Sequence, residues 1–376
     1  MLSIMSPNFY ILIFRRQTMS YKRYCLYALL ITILFPCNAL FNYVFNPYEI
    51  FTHQFAPKSI HHVQRYEKIE YLKTHYNDFN AYLIGSSRIG LIEPKVAESY
   101  LPDSKFYNAW FSSANPLDAE IFLQYLIEKD YPIKYAIIQI GLDHAANIID
   151  YRTANDMQRT WHYEITHKSV NEFYASYLFN FLPRAVYDKF KVILDYDELP
   201  QFEDIHTGIW GYTIREKQRN QNPQAYVANE PSFHKPPVRP QDSINKRSLI
   251  LLKQTLHNIN ALCAKHHIIC IIYTAPMHHS TIKLFSPQVR DSILLLMAEN
   301  FPNGFWHFGY LNSITTNDYN YYEETHHIPD IDILSLNRIF QRNADSIPKD
   351  FGIFITKDNL KQSLKTMHEI ESRFSR

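Results

Sequence analysis

At 376 residues the chain is long enough to bury a large core, and its formal net charge of +1, from 38 basic against 37 acidic side chains, leaves no basic footprint for nucleic acid. Only 8 glycines are present, so each is expected where the backbone requires it; Gly85, Gly90 and Gly141 all lie beside predicted strands. No internal repeat or low-complexity tract stands out.

Arg15, Arg16, Lys22 and Arg23 precede a run at 26–44 without a charge, about the length that crosses a bilayer. The positive flank predicts a single pass through the inner (plasma) membrane, with residues 1–23 cytoplasmic and 24–45 as the anchor. A juxtamembrane stretch at 46–78 would follow, then an extracytoplasmic (periplasmic) domain at 79–376. Cys37-Asn38-Ala39 offers a signal-peptidase site as the alternative to an uncleaved anchor, and Met19 an alternative start. An oxidising compartment permits a disulfide between Cys263 and Cys270, but Cys270 sits in the apolar run 268–273 and reads more simply as a small buried strand residue.

The apolar run 81–84 predicts a buried strand that stops at Gly85-Ser86-Ser87-Arg88. Both serines then sit at a strand's carboxyl edge, where open α/β sheets bind ligands. A phosphate loop is excluded because Leu91-Ile92 stand where it needs Lys and Ser/Thr, and no G-x-G-x-x-G exists for a dinucleotide. An ordinary turn or N-cap has the same serine-rich appearance. Onward, 93–100 predicts a short helix with Pro94 near its start, 105–110 a strand, and 116–129 a helix with Leu117, Ile121, Phe122 and Leu126 at helical spacing. A third strand, 135–140, ends at Gly141-Leu142-Asp143-His144. Strands joined by helices imply an α/β fold, three-layered α/β/α around a mostly parallel sheet with right-handed crossovers, and three strand ends converge on one edge.

Residues 150–242 break this rhythm and read as an insertion above the sheet, with helices at 170–182 and 184–196 and a stiff proline run, Lys235-Pro236-Pro237-Val238-Arg239-Pro240. Its Trp161, Tyr163, Tyr174, Tyr177, Trp210 and Tyr212 either stack on sugars or form the insertion's own small core. The α/β pattern resumes with a helix at 244–265, a strand at 268–273 leading into Thr274-Ala275-Pro276-Met277-His278-His279, a helix at 289–300 and a strand at 304–311. Then comes Tyr321-Tyr322-Glu323-Glu324-Thr325-His326-His327-Ile328-Pro329, a loop feeding a helix that Pro329 starts and that runs through Ile339. An amphipathic helix at 359–374 closes the chain.

A serine hydroxyl attacks poorly until an imidazole accepts its proton, and the imidazole works best when a carboxylate fixes its tautomer. Glu323 and His326, three apart, can pair so that the carboxylate meets Nδ1 while Nε2 points outward. A metal site from His326, His327 and Asp330 competes, but adjacent histidines usually point apart and no H-E-x-x-H spacing occurs, so neither metal nor cofactor is called.

Gly85-Ser86-Ser87 after a strand, Gly141-Leu142-Asp143 ending another, and Glu323-x-x-His326 before the terminal helix together resemble the SGNH (GDSL-like) hydrolase superfamily. Within it, the chain is most similar to membrane-anchored branches that include the periplasmic alginate O-acetyltransferases and the D-alanyl-lipoteichoic acid transfer protein. The resemblance covers roughly residues 82–340 with the insertion excepted. It implies Ser87 as nucleophile, His326 as base and Glu323 as its orienting acid, with the backbone N–H groups of Ser87 and Ser113 in an oxyanion hole. Ser113, Asn115, Asp143, Arg88 and His278 are the candidates for oxyanion or substrate binding. An envelope glycan or related acyl ester is the implied substrate and a membrane acyl-donor protein the implied partner. Three positions depart from the family: Glu323 stands where Asp is common, Ser113 where glycine is usual, and Asp143 near a position held by Asn, a hydrogen-bond donor. Two classes stay open, an acyl-transferring or acyl-hydrolysing enzyme and a membrane-tethered binding or assembly module.

Overall fold

The computed structural model describes residues 21–52, 63–195 and 198–374. Arg15, Arg16, Met19 and Tyr196, which carried expectations above, lie outside these residues. The chain begins with α1 (Tyr21–Phe45), an exposed helix long and apolar enough to cross a membrane, and enters the folded domain through α2 (Gln64–His75). β1 (Ala81–Gly85), α3 (Pro94–Glu98), β2 (Phe106–Trp110), α4 (Pro116–Glu128), β3 (Tyr135–Ile140) and α5 (Leu142–Ala146) follow. The insertion forms α6 (Tyr163–Thr166), α7 (Val170–Phe179), α8 (Pro183–Asp195), the hairpin of β4 (Gln201–Glu203) and β5 (Trp210–Tyr212), α9 (Ile214–Gln221) and α10 (Pro223–Asn229). Then come α11 (Lys246–Lys265), β6 (Ile269–Thr274), α12 (His279–Ile282), α13 (Pro287–Asn300) and β7 (Phe305–His307). A second hairpin, β8 (Tyr321–Glu323) with β9 (His326–His327), precedes α14 (Pro329–Ile339), β10 (Ile353–Ile355) and α15 (Leu360–Glu371).

The central sheet has the strand order β10-β7-β6-β3-β1-β2. Every pairing in it is parallel except that of β10 with β7. β1 and β3 are buried at every position, as expected where helices cover both faces of a parallel sheet. Their side chains alternate between two cores. Tyr82, Ile84, Ala136 and Ile138 pack with α2, α4, α11 and α13, while Ala81, Leu83, Tyr135 and Ile137 pack with α3 and α14.

Three expectations change. Part of the segment expected to be juxtamembrane is α2, which buries Ile69 and Leu72 in the main core along with Arg65 and Lys68, so the folded domain begins before residue 79. The strand expected at 304–311 keeps only Phe305–His307. There the Thr274 hydroxyl oxygen accepts the N–H groups of Phe308 and Gly309, at 3.0 and 3.4 Å, and turns the chain out of the ladder. Cys270 is half-buried and joined to Cys263 in a disulfide rather than being a free core thiol. His267, at φ 55°, reverses the chain between α11 and β6 and leaves the two Cα atoms 6.2 Å apart, within disulfide range.

Candidate active site

β1 delivers its last residues to the carboxyl edge of the sheet, where a tight turn separates the two serines. The N–H groups of Ile89 and Gly90 donate to the carbonyls of Ser86 and Ser87, at 3.1 and 3.2 Å. Ser86 is buried, and its Oγ has no partner among the described residues; Ser87 is half-buried and points outward. Neighbouring elements hold the turn. Asn108 of β2 donates its amide to the carbonyls of Ile89 and Ile92, both at 2.9 Å, and the Trp210 indole N–H of β5 donates to the Ser87 carbonyl at 2.6 Å. Gly90 is required here because a Cβ would lie 2.2 Å from Trp210 Cδ1.

Glu323 and His326 lie on the β8–β9 hairpin rather than in an irregular loop, paired across it. His326 Nε2 is 2.6 Å from Ser87 Oγ, and Nδ1 is hydrogen-bonded to Glu323 Oε1. Glu323 also accepts the Thr325 N–H at 2.8 Å and the Thr325 hydroxyl at 2.7 Å on Oε2, with the Tyr212 hydroxyl 3.4 Å from Oε1. Burial alone would raise the Glu323 pKa, but the hydrogen bond and charge of His326, then those from Thr325, bring it down to about 2. An ionised carboxylate only accepts, so Nδ1 carries the proton and the Ser87 hydroxyl donates to Nε2. That is the tautomer a general base needs. Trp210 packs edge-on against the imidazole with centroids 5.1 Å apart.

Arg88 and Asp143, both candidates for oxyanion or substrate binding, are paired with each other. The buried Arg88 guanidinium grips both Asp143 oxygens, at 2.9 and 2.7 Å, and through Nε donates to the Thr325 carbonyl at 2.9 Å. It therefore ties the serine turn, the end of β3 and the histidine hairpin together. Although burial opposes ionisation of Asp143, Arg88 holds its carboxyl well below the usual range, so Asp143 is an acceptor already occupied by its partner.

Asn115 is likewise taken. Its Oδ1 accepts the Leu117 N–H at 3.0 Å, its amide donates to the Ile149 carbonyl at 2.8 Å, and its backbone N–H reaches Asp118 Oδ2 at 2.9 Å, which makes it the cap of α4 rather than a substrate ligand. Asp118 also accepts from buried Arg65 at 2.8 Å and from the Trp161 indole at 3.1 Å, and Arg65 donates to the Ser112 carbonyl at 3.0 Å. The turn before α4 is thus braced from three elements. Within it Ser113 adopts φ 51°, the left-handed conformation that glycine favours. Among the described residues, no hydrogen bond engages the backbone N–H of Ser87 or Ser113.

His278 is fully buried, with Nε2 2.9 Å from Asp318 and Nδ1 accepting the Ser280 N–H at 3.3 Å as the cap of α12. Its ring stacks on Phe233. His278, His279 and Asp318 have ligand atoms within 4.8 Å of one another, the one grouping among the described residues that could hold a cation. His326 and His327 point apart: His327 is buried with Nδ1 3.6 Å from Asp332, away from Ser87, and Asp330 is exposed. The aromatics offered as sugar platforms are largely committed elsewhere, with Trp161 and Tyr177 in cores and Trp210 beneath the histidine. Trp210 and Tyr212, 123 and 114 residues from the Ser87 carbonyl and the His326 imidazole that they touch, give no sequence signal for this supporting role.

Comparison of the chain with protein-family models and with curated proteins finds no match.

Proposed function

We propose that this chain is a membrane-anchored, extracytoplasmic serine esterase or O-acyltransferase of the SGNH type, working through an acyl-Ser87 intermediate. The carrying observation is the relay of Ser87 Oγ, His326 and Glu323, with a 2.6 Å serine–imidazole contact and a carboxylate fixing the tautomer. Ser87 Oγ attacks the acyl carbon as its proton passes to His326 Nε2, and Glu323 stabilises the imidazolium without itself taking the proton. The oxyanion is received by the backbone N–H groups of Ser87 and Ser113, with Asp143 excluded as a donor because Arg88 occupies it. On collapse the departing alkoxide takes the proton back from His326. Water or an acceptor hydroxyl then repeats the cycle in reverse, which gives hydrolysis or transfer.

α1 supports placement at the membrane, and the positive flank supports a cytoplasmic N-terminus with the domain outside. A substrate in the envelope, an acylated glycan or related ester supplied by a membrane acyl-donor protein, fits that placement. The reading is tested by turnover of a small acetyl ester by the detergent-solubilised chain: native protein is expected to turn over substrate and Ser87→Ala to lose it. Native protein without turnover, retaining its fold, would favour the binding-module class.

A further inference from the structure

α1 carries two amides within its apolar run, Asn38 and Asn42, that an isolated lipid-facing helix could not satisfy. Both are spoken for by the insertion. Asn42 donates to the carbonyls of Tyr177, Leu178 and Asn180 at 3.2, 2.9 and 2.8 Å, and Asn38 donates to those of Leu178 and Asn180 at 3.4 and 3.2 Å. The last carbonyls of a helix lack partners within it, so the end of α7 and the amides of α1 satisfy one another. Rings reinforce the match: Phe179 stacks on Phe35 and Phe190 on Phe45, with centroids 4.7 Å apart in each pair.

These contacts set a depth. The chain reverses between α7 and α8, with Phe179 at the level of Phe35 and Phe190 at that of Phe45, and Phe35 lies ten residues before Phe45, roughly 15 Å along the helix at about 1.5 Å per residue. The charge-free part of α1 after Arg23 needs about 20 residues to cover the hydrocarbon, which places Phe35 to Asn42 inside it. A hairpin tip bonded at that level shares the same surroundings.

The outward face of the hairpin has matching chemistry. Phe181 at the tip is 81% exposed, and Tyr187 and Leu194 of α8 are 64% and 78% exposed, with Phe190 partly so. Residues 187, 190, 191 and 194 share one helical face, on which Tyr187, Phe190 and Leu194 are apolar or aromatic, with Arg184 and Lys191 exposed alongside. An apolar stripe turned away from its own domain with two long cations beside it suits the boundary between acyl chains and phosphates, where Arg and Lys extend their heads to the phosphate level.

We propose that the 180–182 connection and α8 form a second membrane contact, a wedge inserted into the outer leaflet of the bilayer that α1 crosses. Phe181, Tyr187 and Leu194 face acyl chains, Phe190 packs on α1, and Arg184 and Lys191 face lipid phosphates. The inference rests on α1 being a membrane span. Its consequence is attachment at two points, which removes free rotation of the domain about α1 and fixes the sheet edge bearing Ser87 relative to the membrane.

The test is nitroxide accessibility on the full chain in vesicles of zwitterionic and anionic phospholipid. With Cys25→Ser and Cys37→Ser as background, single labels are placed through Phe181→Cys, Tyr187→Cys, Leu194→Cys, Leu30→Cys in α1, and Lys168→Cys before α7. Relative to Lys168, positions 181 and 194 are expected to show a several-fold higher ratio of oxygen to water-soluble nickel-chelate collisions, as Leu30 does. Aqueous behaviour at 181 and 194 with a lipid signal at 30 would overturn the wedge and leave the anchor standing; aqueous behaviour at 30 as well would overturn both. Labels at 181 and 194 shielded from both quenchers, with dipolar broadening between chains, would show a second copy of the chain on this face and overturn the lipid assignment.

Discussion

Arg88 and Asp143 form a bidentate ion pair beneath the serine turn, with side chains 3% and 18% exposed. A buried charge deprived of its partner is costly, so Arg88→Met is expected to destabilise the fold by about 3–5 kcal/mol, and the double variant Arg88→Met/Asp143→Leu by much less. Both should lose activity, because the Thr325 carbonyl beside His326 loses its donor in each. Thermal unfolding alongside esterase turnover separates the two effects. Equal destabilisation in single and double variants would contradict the pairing.

Glu323 gives a rate effect and a pH effect. Glu323→Gln is expected to lower kcat/KM on the order of 10²- to 10⁴-fold, while Glu324→Gln, whose native side chain pairs with exposed Lys235 instead, is expected to stay near native turnover. A carboxyl whose folded pKa lies below its unfolded one contributes stability that is fully present above about 4.5 and lost as pH falls through about 2. Melting temperature should therefore fall more steeply below pH 4.5 in native protein than in Glu323→Gln, with parallel curves between pH 5 and 7. Parallel curves down to pH 2 would show that Glu323 gains nothing from its partners.

How far such features can be read from sequence depends on range. β3 is fixed by a run of apolar residues interrupted at Gln139 alone and α14 by Pro329, both local signals that match the observed bounds. The cap at Asn115 also has a local signature, Asn115-Pro116-Leu117-Asp118, the polar residue before Pro116 with an acid three positions on. Trp210 and Tyr212 could not be found this way, because their role exists only once the insertion folds back across the sheet edge. Arg65 was hidden in a polar stretch whose burial depends on Asp118, 53 residues later.

Trp210 should separate packing from hydrogen bonding. Trp210→Phe keeps a ring against His326 but loses the bond to the Ser87 carbonyl, and is expected to reduce turnover by up to about tenfold with a stability loss of about 0.5–1.5 kcal/mol. Trp210→Ala also removes a buried ring and should cost about 3–5 kcal/mol. Chemical denaturation and turnover measured together check both; native turnover in Trp210→Phe would show that the indole N–H does not position the serine turn.

At Ser113 the backbone, not the side chain, is assigned a function. A non-glycine residue at φ 51° costs about 1–2 kcal/mol, and glycine's extra unfolded-state freedom costs about 0.5–1 kcal/mol, so Ser113→Gly should be near neutral to slightly stabilising with turnover retained. Ser113→Val, β-branched at the same φ, should lose both stability and turnover. Loss of turnover in a stable Ser113→Gly protein would assign the function to the hydroxyl.

Intact-protein and peptide mass spectrometry after exposure to a fluorophosphonate tests Ser87 as nucleophile most directly, because the reagent phosphonylates a serine, with loss of fluoride, only when a base has activated it. One phosphonyl adduct per chain is expected, mapped to Ser87, retained in Ser86→Ala and abolished in Ser87→Ala and His326→Ala. A folded native protein that takes up no adduct, or an adduct that persists in Ser87→Ala, would contradict that assignment.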